Sequence, residues 1–196
     1  MKKFNTSLLL ADLKEITNNN VQLVESKFNH LNEKQKTWRP SSDSWSVIEV
    51  FAHLNEYASF YHRVFQERIQ KTKFDEPKDT FVSSPLGRSA WRSMKLGRVK
   101  NVKRKFKAPK AYNPSNEPSL IKGDDINSFG ENQKEMLSIL DMAKNVNLRK
   151  VKIPISISRI VRLRLGDALM FVIYHNERHV QQALNILSHP NFPKKK

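Results

Sequence analysis

The sequence predicts an all-α protein: a four-helix bundle with a long, basic, proline-containing connection between the second and third long helices. Three observations carry this. Glycine is scarce, with five in 196 residues. Four long segments place apolar residues at spacings of three and four, as helices with a buried face do. Polar stretches rich in Ser and Pro separate them, and four such helices pack most simply as a bundle, here expected to be up-and-down-like. One domain is expected over residues 1–190, followed by a basic tail over 191–196.

The first helix is expected from Thr6 to Leu31, on the spacing of Leu9, Leu13, Ile16, Val24 and Phe28, with Asn18-Asn19-Asn20 weakening its middle. Pro40 and the Ser41-Ser42-Asp43-Ser44 cluster then make a loop. Ser46 and Glu49 form a capping box that opens a second helix running to about Gln70. That helix carries two apolar stripes, Val47-Phe51-Leu54-Ala58-Tyr61-Phe65 and Val50-His53-Tyr57-Phe60-Val64, so much of its circumference is buried. Pro77, Pro85, Pro109, Pro114 and Pro118 forbid one continuous helix across the next stretch, which has room for a short helix near Ser89 to Leu96. A third long helix covers about Ile126 to Asn145. Residues Lys150 to Leu165 alternate like a strand at Val151, Ile153, Ile155 and Ile157. The fourth long helix starts near Asp167, whose charge suits a helix N-terminus, and stops at about Leu187 before Pro190.

Composition narrows the chemistry. Cysteine is absent, so disulfides and thiolate ligands or nucleophiles are excluded, and a transition metal would need His, Asp, Glu or water. The longest apolar run, Ala168 to Tyr174, falls far short of the ~20 residues that span a bilayer. The opening Leu8-Leu9-Leu10-Ala11 imitates a signal peptide only until Asp12, Lys14 and Glu15, so it reads as the start of a helix and the chain as cytoplasmic. With 35 Lys+Arg against 19 Asp+Glu the formal charge is +16, which attracts anions without choosing among them.

The strongest chemical pattern is His175-Asn176-Glu177-Arg178-His179 in the last helix. Histidines four apart share a helical face and can grip one divalent ion. A third ligand must come from another element, and His53, on an apolar stripe of the second helix, is the candidate. Three His ligands with an open position suit a catalytic ion better than a structural one. The competing reading is three ordinary core histidines. His30, His62 and His189 lie near helix ends or on less apolar faces and are read as surface residues.

Trp45-Ser46-Val47-Ile48-Glu49-Val50-Phe51-Ala52-His53-Leu54 resembles the Trp-Ser-x-x-Glu-x-x-x-His-Leu signature of the DinB/YfiT-like superfamily. Leu165-Gly166-Asp167-Ala168 and the run from His175 to Gln182 resemble its closing helix, and Lys107-Ala108-Pro109 with Tyr112-x-Pro114 its long second connection. The resemblance spans about Leu8 to Leu187. It implies a four-helix bundle holding one divalent ion, commonly zinc or nickel, on His53, His175 and His179. It also implies a frequent dimer, and a metal-dependent hydrolase or a transferase that uses a low-molecular-weight thiol such as bacillithiol, mycothiol or glutathione.

Around the ligands, Glu56 and Arg178 are the catalytic candidates. Glu56, three residues after His53, would orient an imidazole or accept a proton, or else form a surface ion pair. Arg178 would hold an anionic small-molecule substrate or thiolate, or else an interhelical salt bridge. Asn176 and Gln182 would hydrogen-bond the ligands from behind, and Trp38 and Trp45 read as core. The rival feature is the segment Lys95 to Lys110, with eight basic residues and aromatics beside it: a lid over the metal, or a nucleic-acid contact in a protein whose histidines are structural. A metal or ligand carrier without turnover is the remaining alternative.

Overall fold

The computed structural model describes residues 2–102 and 106–194. A short strand β1 (Lys3–Asn5) leads into helix α1 (Thr6–Leu23), whose first turn is capped by the Asn5 side chain accepting from the Leu8 N–H at 3.0 Å. The asparagine run does not break α1, because Asn20 turns inward and donates to Gln133 Oε1. The helix closes in a π-helical turn over Val24–Phe28. A one-turn helix α2 (Glu33–Thr37) follows, held by a capping box between Asn32 and Gln35. Helix α3 (Val47–Gln70) starts at the expected Ser46–Glu49 capping box.

The chain then forms strand β2 (Thr80–Val82), antiparallel to β1, and helix α4 (Pro85–Met94). Ser84 caps α4 and Pro85 fills its first turn, so it begins earlier than the expected Ser89. Two 3₁₀ turns, Lys110–Tyr112 and Pro118–Leu120, precede helix α5 (Asp125–Ala143). The alternating segment is a hairpin of β3 (Lys152–Ile155) and β4 (Ser158–Arg164), which leads directly into helix α6 (Leu165–Leu187).

The long helices α1, α3, α5 and α6 form the bundle, with α1 and α3 each packed between α5 and α6. Their directions differ from simple alternation. Asn55 reaches Asp125 and Asn132, and His62 and Gln66 reach Glu135, so residue numbers rise together along α3 and α5. Those two helices are parallel. Pairs Lys14–Asp141 and Asn20–Gln133 make α1 antiparallel to α5, and Tyr61–Phe171 with His53–His175 makes α3 antiparallel to α6. The order is up-down-down-up. Parallel neighbours need a crossover, and residues 71–124 supply it.

Asp167 is fully buried and does more than complement a dipole. It accepts from Ser83 Oγ, Ser84 N–H and Ser84 Oγ, fastening α4 to the start of α6. The fastening leaves no room at Gly87, where a Cβ would lie 2.1 Å from Asp167 Cγ. At the other end Phe192 packs edge-on against Trp38, and the Pro193 carbonyl accepts from Gln35 Nε2. Lys195 and Lys196 lie outside the described residues. The core divides into two clusters. One is centred on Tyr61, Phe65, Met136 and Leu169, the other on Phe28, Phe51, Phe129 and Val180.

Candidate metal centre

The three candidate histidines sit at the seam between those clusters. On α3, His53 lies between Val50 of one cluster and Tyr57 of the other; on α6, His175 and His179 lie between Tyr174 and Val180. One ligand-capable nitrogen from each of the three rings falls within 4.8 Å of the other two. His53 and His175 are buried and His179 is half-buried.

The hydrogen bonds fix which nitrogens face inward. His53 Nδ1 donates to the Tyr112 carbonyl at 2.5 Å, leaving Nε2 with its lone pair. His179 Nδ1 donates to Gln182 Oε1 at 2.9 Å, again leaving Nε2 bare. His53 Nε2 lies 3.3 Å from His175 Nε2. Two nitrogens about 2.1 Å from one tetrahedral ion are about 3.4 Å apart, so this pair is spaced as co-ligands are. His175 Nδ1 is buried without a hydrogen-bond partner among the described residues.

Protonation favours the same reading. Burial pushes His53 down to about 4, against the raising effect of the Tyr112 carbonyl. Burial, then the neighbouring His179 and His53, hold His175 well below the ordinary histidine value; burial and His53 do the same to His179. All three rings are neutral at pH 7, the form that ligates.

Aromatic walls enclose the rings. The Trp45 ring centroid lies 4.8 Å from that of His53 and 5.9 Å from that of His179. Tyr57 lies 4.4 Å from His175. Trp45 Nε1 donates to Asn113 Oδ1, so the wall is tied to the crossover loop that supplies the Tyr112 carbonyl. Glu49 anchors the same loop from below. Its carboxylate receives Arg39 through two nitrogens, Ser46 N–H, Ser46 Oγ and Ser115 Oγ.

Residues 19–183 match the family model for the DinB superfamily, which is most of the chain. The chain belongs to the DinB superfamily. Comparisons with curated proteins and with solved structures give no match.

Within this DinB bundle the other expected residues divide. Gln182 lies behind His179, its Oε1 accepting from the ring Nδ1. Asn176 is buried, and among the described residues it makes no hydrogen bond to the three rings. Glu56 is half-buried on the flank of α3 toward Glu49 and Phe60, and makes neither an ion pair nor a hydrogen bond to an imidazole among the described residues. Arg178 is buried, with its guanidinium 5.1 Å from the centroid of Phe106.

The basic segment is laid along α6 where it is described. Lys95 Nζ sits 4.8 Å over the Tyr174 ring, and Asn101 Oδ1 accepts from Asn185. Lys103, Arg104 and Lys105 of that segment lie outside the described residues. His62 is not a surface residue: it is 3% exposed between α3 and α5, with Nδ1 2.8 Å from Glu135 Oε2. Its spacing four after Ala58 and eleven after Phe51 carries that signal. His30 is exposed, and His189 packs against Trp38. Among the described residues no helix is long and apolar enough to cross a membrane.

Proposed function

We propose that this DinB-superfamily chain is a divalent-metal-dependent enzyme whose ion, zinc or nickel, is held by His53, His175 and His179. The observation that supports it most is the inward lone pairs: two of the three rings spend their Nδ1–H on fixed acceptors and turn Nε2 toward a common point. In a purely structural cluster, two facing Nε2 atoms at 3.3 Å must share one proton, and the third ring contributes nothing. A cation in place of that proton gives the Nε2 lone pairs of all three rings one shared partner.

A bound ion supplies Lewis acidity, lowering the pKa of a water for hydrolysis or of a low-molecular-weight thiol for transfer. The chain's own groups do the rest. Trp45 and Tyr57 exclude bulk water from one side and fix the imidazole planes. The Tyr112 carbonyl and Gln182 set the ring orientations. Arg178, beside His179, carries the positive charge that would meet an anionic substrate or thiolate, with Phe106 packed against it. Glu56 is the carboxylate on the same helix, one turn from His53, able to take a proton.

Elemental analysis of untagged protein tests the metal reading. About one zinc or nickel per chain is expected, falling below about 0.2 in His53→Ala and His175→Ala. Folded parent protein with no metal after zinc reconstitution refutes it. Turnover against ester and amide substrates, with and without a panel of thiols, separates hydrolase, transferase and non-catalytic carrier.

A further inference from the structure

Some distance from the histidines, a cleft of about 470 Å³ opens between the end of α3, the start of the crossover and the β3–β4 hairpin. Arg68 lies fifteen residues beyond His53 on one helix, so the cleft is about 20 Å from the metal centre along α3. Its lining includes Arg68, Lys71, Lys73, Lys150, Lys152 and Arg162. Among the described residues none of these six has a carboxylate within ion-pair distance, although eight ion pairs form between other side chains. The one acidic lining residue, Glu67, is shared with Arg63 at 3.6 Å. The C-terminal dipole of α3 offsets only about half a charge. A surplus of several positive charges therefore converges on one concavity.

The frame that converges them is fixed. The Asn147 N–H donates to the Phe74 carbonyl at 2.9 Å, joining the loop after α3 to the turn before β3. Lys73 and Lys150, from those two segments, place their ammonium groups 5.8 and 5.3 Å from the same Phe74 ring. The hairpin register brings Lys152 opposite Arg164 and Pro154 opposite Arg162. Partial burial and Arg164 hold the Lys152 ammonium below its ordinary value, with Asp167 opposing, as expected where like charges crowd.

We infer that this cleft binds a small molecule bearing a chain of phosphate groups, read through the phosphates by Lys150, Lys152, Arg162 and the lysines that face them. Clustered phosphates supply several charges at short spacing with many acceptor oxygens, and Arg162 and Arg68 can meet them bidentately. The size of the concavity suits a small ligand, being within the ordinary range of such pockets. A duplex presents a broad convex surface that a cleft of this size does not match. Phe74 already carries two ammonium groups, so its ring does not serve as a platform for a base.

The test is calorimetric titration of the full chain with inorganic triphosphate, ATP and a short duplex DNA at about 0.1 M salt, where long-range charge effects are damped. Triphosphate and ATP should bind with similar affinity. The triple variant Lys150→Gln, Lys152→Gln, Arg162→Gln should lose about tenfold or more. A control with equal charge removed elsewhere, Lys27→Gln, Lys34→Gln, Lys194→Gln, should stay within about twofold. His53→Ala should bind triphosphate as the parent does, which separates the cleft from phosphate chelation at the histidines. All three cleft residues are exposed, so the variant is expected to fold, and Arg162→Gln alone gives a smaller loss if it does not. The proposal is overturned by absence of triphosphate binding at millimolar concentration, by equal loss in cleft and control variants, by ATP binding without triphosphate, or by duplex binding that alone depends on the three side chains.

Discussion

Gln182 offers a sharp test of how the centre is organised. Its Oε1 is the acceptor that holds His179 Nδ1–H at 2.9 Å, and His179 is the most exposed of the three rings. Removing the acceptor in Gln182→Ala leaves that N–H to water and lets the ring turn away from the common point. Loss of such a partner typically costs a metal site about 10- to 100-fold in affinity, or roughly 1.4–2.7 kcal/mol. Competition for zinc against a chromophoric chelator reads this directly. Gln181→Ala, one position away and bonded to Asn185 on the surface, should stay within about twofold. Gln182→Glu keeps an acceptor and should hold zinc at least as well as the parent. A zinc affinity in Gln182→Ala within about twofold of the parent would refute the reasoning, because orientation of His179 would then owe nothing to this bond. Unchanged thermal stability with weakened zinc binding would separate positioning from folding.

Three further outcomes follow from the packing. Gly87→Ala should destabilise by about 3 kcal/mol or more, since a Cβ at 2.1 Å from Asp167 Cγ must push that carboxylate off Ser83 and Ser84; urea denaturation measures it. Glu49→Ala should cost about 2–4 kcal/mol, since the buried carboxylate holds Arg39, the α3 cap and Ser115, and a fall in the urea midpoint of under about 0.5 kcal/mol equivalent would contradict this. Stability of the metal-free chain should be full above pH about 6.5 and decline as pH falls below it. The sign follows because burial lowers His62, His53, His175 and His179, so the unfolded chain binds more protons there; a urea midpoint independent of pH between 7.5 and 5 would count against it.

The long helices were legible because each buries a continuous stripe, and periodicity reports burial. The same logic made His53 legible, since a histidine among Val50, Tyr57 and Val64 sits where solvent does not reach. His62 was missed because its stripe, Phe51-Asn55-Ala58-His62, mixes polar with apolar residues; α5 answers it with Asn132 and Glu135 rather than hydrocarbon. Strand β1 is three residues long, and its partner β2 lies far along the chain, so neither carries a local pattern. The start of α4 depends on Ser84 and Pro85, a capping signal that an apolar count overlooks. The backbone carbonyl of Tyr112 has no side-chain signature at all, and only the fold reveals that it holds His53.

That carbonyl ties topology to chemistry. Because α3 and α5 run parallel, the chain must return along the bundle before α5 can start. The return path passes over the start of α3 and the residues just before it, where Glu49, Trp45 and His53 meet it through Ser115, Asn113 and Tyr112. The three bonds come from the nine residues 45–53 at the start of α3 and a four-residue stretch of loop. They therefore act as one clasp: loosening the loop at Ser115 or Asn113 also frees the acceptor that sets the His53 tautomer. Asn113→Ala, which touches no imidazole, should accordingly weaken zinc binding by a few fold through this clasp, and Ser115→Ala should do the same to a lesser degree. Zinc affinities of both variants equal to that of the parent would show that His53 is oriented by helix packing alone.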